Sequence, residues 1–100
     1  MNEKIQATYE ELDSVAKLFA QQADAIGKTL QSVQGAMDSL QGGGWIGRGA
    51  DAFFAEMSDE VLPAVQRLGQ ALEQGGQTTQ QISATVAQAE DEASSRFRLS

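Results

Sequence analysis

Apolar residues recur every three or four positions along the first forty residues, which is the spacing of one helix face. From Tyr9 to Leu40 the steps alternate three and four without interruption, as in the a/d seam of a heptad repeat. No proline interrupts this stretch, so the pattern predicts one helix over about residues 3–41. The seam residues assigned to hairpin or dimer packing are Leu12, Phe19, Ile26, Leu30, Val33 and Met37.

A second stretch of helical spacing begins near residue 50. It predicts a helix over about residues 50–94, whose seam residues are Phe54, Met57, Val61, Leu68, Leu72 and Ile82. A doubled step of four, from Val61 to Val65, spans Pro63. Because proline lacks an amide hydrogen and crowds the preceding turn, we expect a kink there.

Two further features of the second helix affect its continuity. Gly75 and Gly76 are adjacent, and glycine is a poor helix former, so the helix is expected to be continuous but locally soft, with a break as the alternative. Residues 95–100 have no periodicity, and we predict a flexible tail there.

Between the two predicted helices lies a glycine-rich turn, Gly42–Gly49. Five of its eight residues are glycine, and it contains the single tryptophan, Trp45. Glycine favours a chain reversal because it readily adopts positive φ. The large apolar residues Trp45 and Ile46 are unusual in a turn. Either they plug the end of the helix pair, or they are a handle that another molecule binds.

Two long helices joined by a tight turn define an all-α, antiparallel helical hairpin that occupies residues 1–100 as a single domain. Val15, Leu18, Phe53 and Leu62 lie outside the main seam and widen the apolar surface. A single hairpin would leave this surface in water. The pattern therefore predicts that the hairpin pairs into an elongated four-helix bundle as a dimer.

Composition excludes several classes of function. The 100-residue chain contains neither cysteine nor histidine, and its formal net charge is −7. Without these residues, thiolate and imidazole metal sites and histidine catalysis are excluded. We therefore predict no enzyme activity, no catalytic residue, no metal and no cofactor. The negative charge argues against nucleic-acid binding.

The N-terminal residues contain no apolar stretch typical of a secretory leader, and no apolar run is long enough to span a bilayer. We expect no stable membrane insertion. If the chain is exported, it uses a route that does not read a cleaved leader. A membrane-active effector is disfavoured by the charge of −7 and by the lack of a basic amphipathic face.

Trp45-x-Gly47 at the midpoint of a leaderless hairpin of 100 residues resembles the turn of the WXG-type (ESAT-like) family. The spacing from Trp45 to Phe53 is also similar to that family's start of the second helix. The resemblance implies a substrate or co-secreted partner of a type VII (ESX-type) secretion system. It further implies dimerisation, with a second copy or with a sister protein, and secretion after folding in the cytoplasm.

Members of this family carry a Tyr-x-x-x-Asp/Glu export signal near the end of the second helix, which the membrane-bound ATPase of the system reads. Here the corresponding residues are Val86 and Glu90, so the signal is degenerate. The only tyrosine, Tyr9, starts a matching motif at the other end of the chain. In an antiparallel dimer, Trp45 and Gly47 of one chain would meet the Val86–Glu90 region of its partner.

A different class of function is left open by the same pattern. A cytoplasmic coiled-coil adaptor or assembly scaffold that is never exported would show the same helical periodicity. The helical pattern also leaves open whether the dimer is a homodimer or a heterodimer, because both bury the same apolar stripe.

Overall fold

The structure is a computed structural model that describes the backbone of residues 3–99 and the side chains of residues 8–96. Helix α1 comprises Glu3–Gly42, and helix α2 comprises Arg48–Glu56. A π-helical turn, Met57–Val61, joins α2 directly to helix α3, Leu62–Leu99. Residues 3–99 contain no β-strand, so the all-α prediction is confirmed over this range.

The observed helix ends differ slightly from the predicted ones. The second helical segment begins at Arg48 rather than at residue 50, because Gly47 already accepts the first helical hydrogen bond. It continues to Leu99, past the predicted end at residue 94. Of the predicted tail, residues 95–100, Ser100 and all side chains from residue 97 onward lie outside the described residues.

Two compact units divide the chain. The first combines Met1–Ala20 with Glu73–Ser100, and the second is Gln21–Leu72. In the first unit, the hydroxyl of Tyr9 lies against Glu90, and the ring of Phe19 lies against Gly75. Because positions ascend on α1 as they descend on α3, the two helices of this unit are antiparallel.

Gly75 and Gly76 lie where α1 and α3 approach each other closely in the first unit. A Cβ built on Gly75 would lie 2.8 Å from Cε1 of Phe19, and one on Gly76 would lie 3.3 Å from Cβ of the same residue. The helix runs through both glycines without a break. These glycines therefore make room for the Phe19 side chain.

The second unit contains the turn, α2 and the first residues of α3. Gly69 of α3 faces Ile26 of α1, and a Cβ on Gly69 would lie 3.3 Å from Cγ2 of Ile26. Met37, which is only 8% exposed, and Ala50, which is 2% exposed, are the buried hydrophobic residues of this unit among the described side chains. The hydrophobic core of a single chain is thus small.

Candidate functional site: the Trp-x-Gly turn

The turn begins with a Schellman motif that ends α1. The amide of Gly44 donates to the carbonyl oxygen of Gln41, and the amide of Trp45 donates to that of Leu40, both at 3.2 Å. This pair of hydrogen bonds requires a left-handed residue after the helix, and Gly44 has φ of 83°. The glycines therefore fix the direction in which Trp45 leaves the helix.

Gly47 begins the next helix in a conformation that only glycine readily adopts. Its φ is 117° and its ψ is −176°, a region essentially closed to residues with a Cβ. Its carbonyl oxygen accepts a hydrogen bond of 2.9 Å from the amide of Asp51. The Asp51 carboxylate also lies in the first turn of α2, where negative charge favours the helix dipole. Gly47 thus converts the turn into a helix start.

Three aromatic rings, those of Trp45, Phe53 and Phe54, form the cluster that holds the turn together. The Trp45 ring centroid lies 5.4 Å from that of Phe53 and 5.5 Å from that of Phe54, and the two phenylalanine centroids lie 5.4 Å apart. All three pairs are tilted or edge-to-face, the arrangements that aromatic quadrupoles favour. We call this set the aromatic cluster. The sequence pattern indicates Trp45 and its spacing to Phe53, but not the contact with Phe54.

Large apolar surface nevertheless remains exposed at the turn. Trp45 is 42% exposed and Ile46 is 86% exposed. The two alternatives of the sequence analysis are therefore not exclusive, because one side of Trp45 packs on phenylalanine rings while another stays open to solvent. The turn is a hydrogen-bonded and partly apolar tip.

Beside the aromatic cluster, a groove of about 310 Å³ opens between the end of α1 and the π-helical turn. Its floor is apolar and its rim is polar. The lining residues are Gln34, Met37, Asp38, Gln41, Phe54, Ser58 and Leu62. Among the described residues, no group of His, Cys, Asp or Glu side chains has the geometry of a metal site.

The predicted C-terminal signal residues lie in the other compact unit. Val86 is 37% exposed, and Glu90 accepts a long hydrogen bond of 3.5 Å from the hydroxyl of Tyr9. Partial burial raises the pKa of Tyr9, and the neighbouring Glu90 carboxylate raises it further. The structure therefore brings the single tyrosine of the chain to the acidic residue of the predicted signal, a contact across 81 positions that the linear motif does not reveal.

The seam residues fall into two groups. In α1 the positions predicted for the seam from residue 12 to residue 37 are the buried or half-buried ones. Phe54, Met57 and Leu72 are half-buried, whereas Val61, Leu68 and Ile82 are between 38% and 49% exposed. Of the residues expected to widen the apolar surface, Leu62 is half-buried, but Val15, Leu18 and Phe53 are exposed.

The exposed salt bridges of α1 contribute little to stability. Lys17 pairs with Asp13 at 3.0 Å, and Lys28 pairs with Asp24 at 3.1 Å, all largely in solvent. Such exposed helical pairs are worth a few tenths of a kcal/mol, on the order of 0.3–0.5. None of the helices in the described part of the chain has the length and hydropathy needed to cross a membrane.

Comparison with known proteins places the chain in a family. The model of the WXG100 family, described as proteins of 100 residues with WXG, matches residues 4–91. Neither the curated proteins nor the solved structures contain a significant match to the chain.

Proposed function

Because the chain belongs to the WXG100 family, we propose that it is exported by a type VII (ESX-type) secretion system as a dimeric helical bundle, as a substrate or a co-secreted partner. The family is associated with type VII secreted proteins, and its members are small helical proteins that are not known as enzymes. The observation that carries the proposal is the Trp-x-Gly turn, where Trp45 is packed on one side and 42% exposed on the other.

Dimerisation is supported by the apolar surface that one chain leaves in water. Leu18 in one unit is 56% exposed, and Leu68 in the other is 49% exposed. Fully burying such a side chain contributes roughly 1.5–3 kcal/mol. Only three hydrophobic residues are buried among the described side chains. A second hairpin could therefore bury a large apolar surface. A second copy and a sister protein both fit this surface.

The turn is the part of the bundle that we propose as an export determinant. Gly44 and Gly47 hold the backbone in positive-φ conformations. The backbone that carries Trp45 and Ile46 therefore loses little further conformational entropy when another protein binds it. A hydrogen-bonded, partly apolar tip of this kind suits recognition by another protein. We assign this role to Trp45 and Gly47, and we propose the ATPase of the secretion system as the protein that binds the assembled dimer.

Glu90 and Val86 are proposed to complete the recognition surface in the degenerate C-terminal signal. Val86 occupies the place of the tyrosine that the family motif has, but the Tyr9 hydroxyl lies against Glu90. The pair thus offers a phenol next to a carboxylate from two different helices. In an antiparallel dimer, this pair lies beside the turn of the partner chain, so the composite surface of the pair and the turn exists only in assembled protein.

Export can be tested in cells that carry a type VII system. The wild-type chain, Trp45→Ala and Trp45→Phe are expressed there and in the same cells without the system's ATPase, and the culture supernatant is assayed with a cytoplasmic marker. The proposal predicts ATPase-dependent export of wild type, reduced export of Trp45→Ala, and retention of export by Trp45→Phe, which keeps a ring on Phe53 and Phe54.

The same assay distinguishes an exported protein from a cytoplasmic adaptor. A chain that stays in the cells with and without the ATPase supports an adaptor or scaffold. The mass of purified Trp45→Ala must also be measured, because a variant that no longer dimerises would lose export for that reason alone. Unchanged export and unchanged dimerisation of this variant would eliminate the turn as an export determinant.

A further inference from the structure

In the second compact unit, the end of the π-helical turn and the start of helix α3 together carry two apolar stripes, one residue apart. The inward stripe includes Leu62, Val65 and Leu72, which are half-buried. The outward stripe includes Val61 and Leu68, which are 38% and 49% exposed. Since neighbouring positions on a helix differ by about 100°, a rotation by one residue would exchange the two stripes.

The π-helical turn supplies a rotation of this size. The amide of Leu62 donates to the carbonyl oxygen of Met57, five positions earlier, whereas an α-helix uses a step of four. An uninterrupted α-helix from Phe54 and Met57 would place Val61 and Leu68 on the seam. The extra residue in the turn places Leu62 there instead.

Pro63 provides a physical reason for the position of the turn. It follows the π-helical segment by two residues and cannot donate the hydrogen bond that the carbonyl oxygen of Asp59 would accept in an α-helix. A continuous α-helix would therefore lack one backbone hydrogen bond at this point. Gly69 also favours the observed register. Because it has no side chain, α3 can approach Ile26 closely when Gly69 faces α1.

We propose that the π-helical turn Met57–Val61 is a register switch, which holds the Leu62 stripe inside the hairpin and the Val61 stripe outside. Its conversion to an α-helix exchanges the stripes while Phe54 remains in the aromatic cluster. The turn thus sets which apolar face of α3 is offered to another molecule. That this face receives a second hairpin rests on the proposed function.

Disulfide trapping tests the register directly, because the chain contains no native cysteine. A Cβ on Gly69 would lie 3.9 Å from Cβ of Ile26, within the range for a disulfide. The pair Ile26→Cys with Gly69→Cys reports the observed register. The pair Ile26→Cys with Leu68→Cys reports the exchanged one. Circular dichroism of the reduced proteins checks that both variants remain helical.

In the otherwise unchanged chain, the Gly69 pair should oxidise on the order of tenfold faster than the Leu68 pair, because its Cβ atoms are within disulfide reach, whereas Leu68 is 49% exposed. Pro63→Ala restores the missing donor and should shift this ratio toward the Leu68 pair by several-fold, roughly three to ten. Deletion of Asp59 removes the extra residue while keeping Leu62 inside, so it should trap only the Gly69 pair. Equal trapping of both pairs, or a ratio that Pro63→Ala does not move, would overturn the register switch.

Light scattering on the same proteins separates this inference from the dimer. If the trapping ratios behave as described but the chain is a strongly helical monomer that unfolds cooperatively, the switch is supported and the dimer fails. If the chain is a dimer but the ratios do not respond to Pro63→Ala, the dimer is supported and the switch fails.

Discussion

The ring of Phe19 lies directly over Gly75, so closely that a Cβ on Gly75 would come within 2.8 Å of Cε1 and 3.0 Å of Cδ1 of that ring. The small residue on α3 and the large one on α1 are complementary. This contact explains why two adjacent glycines are found in the middle of a long helix, where each costs roughly 1 kcal/mol of helix propensity relative to alanine.

Gly75→Ala should therefore destabilise the protein, even though alanine is the better helix former. The methyl group must displace the Phe19 ring, and overpacking of this kind costs about 1–3 kcal/mol. Gly35→Ala is the matched control, because a Cβ on Gly35 meets nothing within 4 Å. The control should stabilise by roughly 0.5–1 kcal/mol, and urea unfolding followed by circular dichroism measures both. Equal effects in the two variants would show that the close approach is unimportant.

Gly47 should be intolerant of any side chain. Its φ of 117° and ψ of −176° lie in a region where a residue with a Cβ is strained by about 1–3 kcal/mol. Gly47→Ala should lower the unfolding free energy by that amount and weaken the aromatic cluster, which Trp45 fluorescence reports. Gly49→Ala, two residues later in α2, has no positive φ and no neighbour within 4 Å, so it should be neutral or slightly stabilising. A neutral Gly47→Ala would contradict the observed turn geometry.

Tyr9 should titrate above the ordinary tyrosine value. Partial burial and the Glu90 carboxylate raise the pKa of its phenol, and because Tyr9 is the single tyrosine, its ultraviolet absorbance measures that pKa without interference. Glu90→Gln should lower the pKa toward the ordinary value of about 10. Glu92→Gln, on the same helix, is the control.

The same shift predicts how stability depends on pH. Since the folded-state pKa is raised above the unfolded one, the stabilisation is complete below the unfolded value of about 10 and is lost as pH rises through the folded value. Between pH of about 10 and the folded pKa, the unfolding free energy should therefore fall more steeply with pH in wild type than in Tyr9→Phe. Identical slopes would show that folding does not raise the pKa of Tyr9.

Leu68 should contribute to the stability of the dimer and not to that of the single hairpin. It is 49% exposed in a single chain, and burial against a partner hairpin would contribute up to roughly 1.5–3 kcal/mol. Leu68→Ser should weaken dimerisation by about tenfold or more, while Arg67→Ser, at the adjacent exposed position, should leave it nearly unchanged. Sedimentation equilibrium measures both dissociation constants. If Leu68→Ser dimerises like wild type, the partner lies on another face.

Much of the fold was predictable because each helix has a strong repeat. The seam of α1 follows directly from the three-four spacing, and the turn follows from the glycines between Gly42 and Gly49. In the second helical segment, the same periodicity assigns Val61, Leu68 and Ile82 to one seam with Phe54 and Met57. The structure leaves those three residues exposed. For Val61 and Leu68, the reason is the π-helical turn, which inserts a residue that sequence periodicity does not register.

The candidate site was predictable in part for similar reasons. A tryptophan in a glycine-rich turn is visible in the sequence, and so is its spacing to Phe53. The Trp45–Phe54 contact depends on the angle at which α2 leaves the turn. The Tyr9–Glu90 contact joins positions at opposite ends of the chain, so a motif search along the sequence cannot find it.

The proposed function depends on one physical claim, that a single hairpin is not the complete folded unit. The most direct test is the solution mass of the purified 10.7 kDa chain by light scattering, with its helicity by circular dichroism. The account predicts a strongly helical species of twice the chain mass, or a poorly helical monomer that becomes helical when a sister protein is added. A strongly helical monomer that unfolds cooperatively by itself would contradict it.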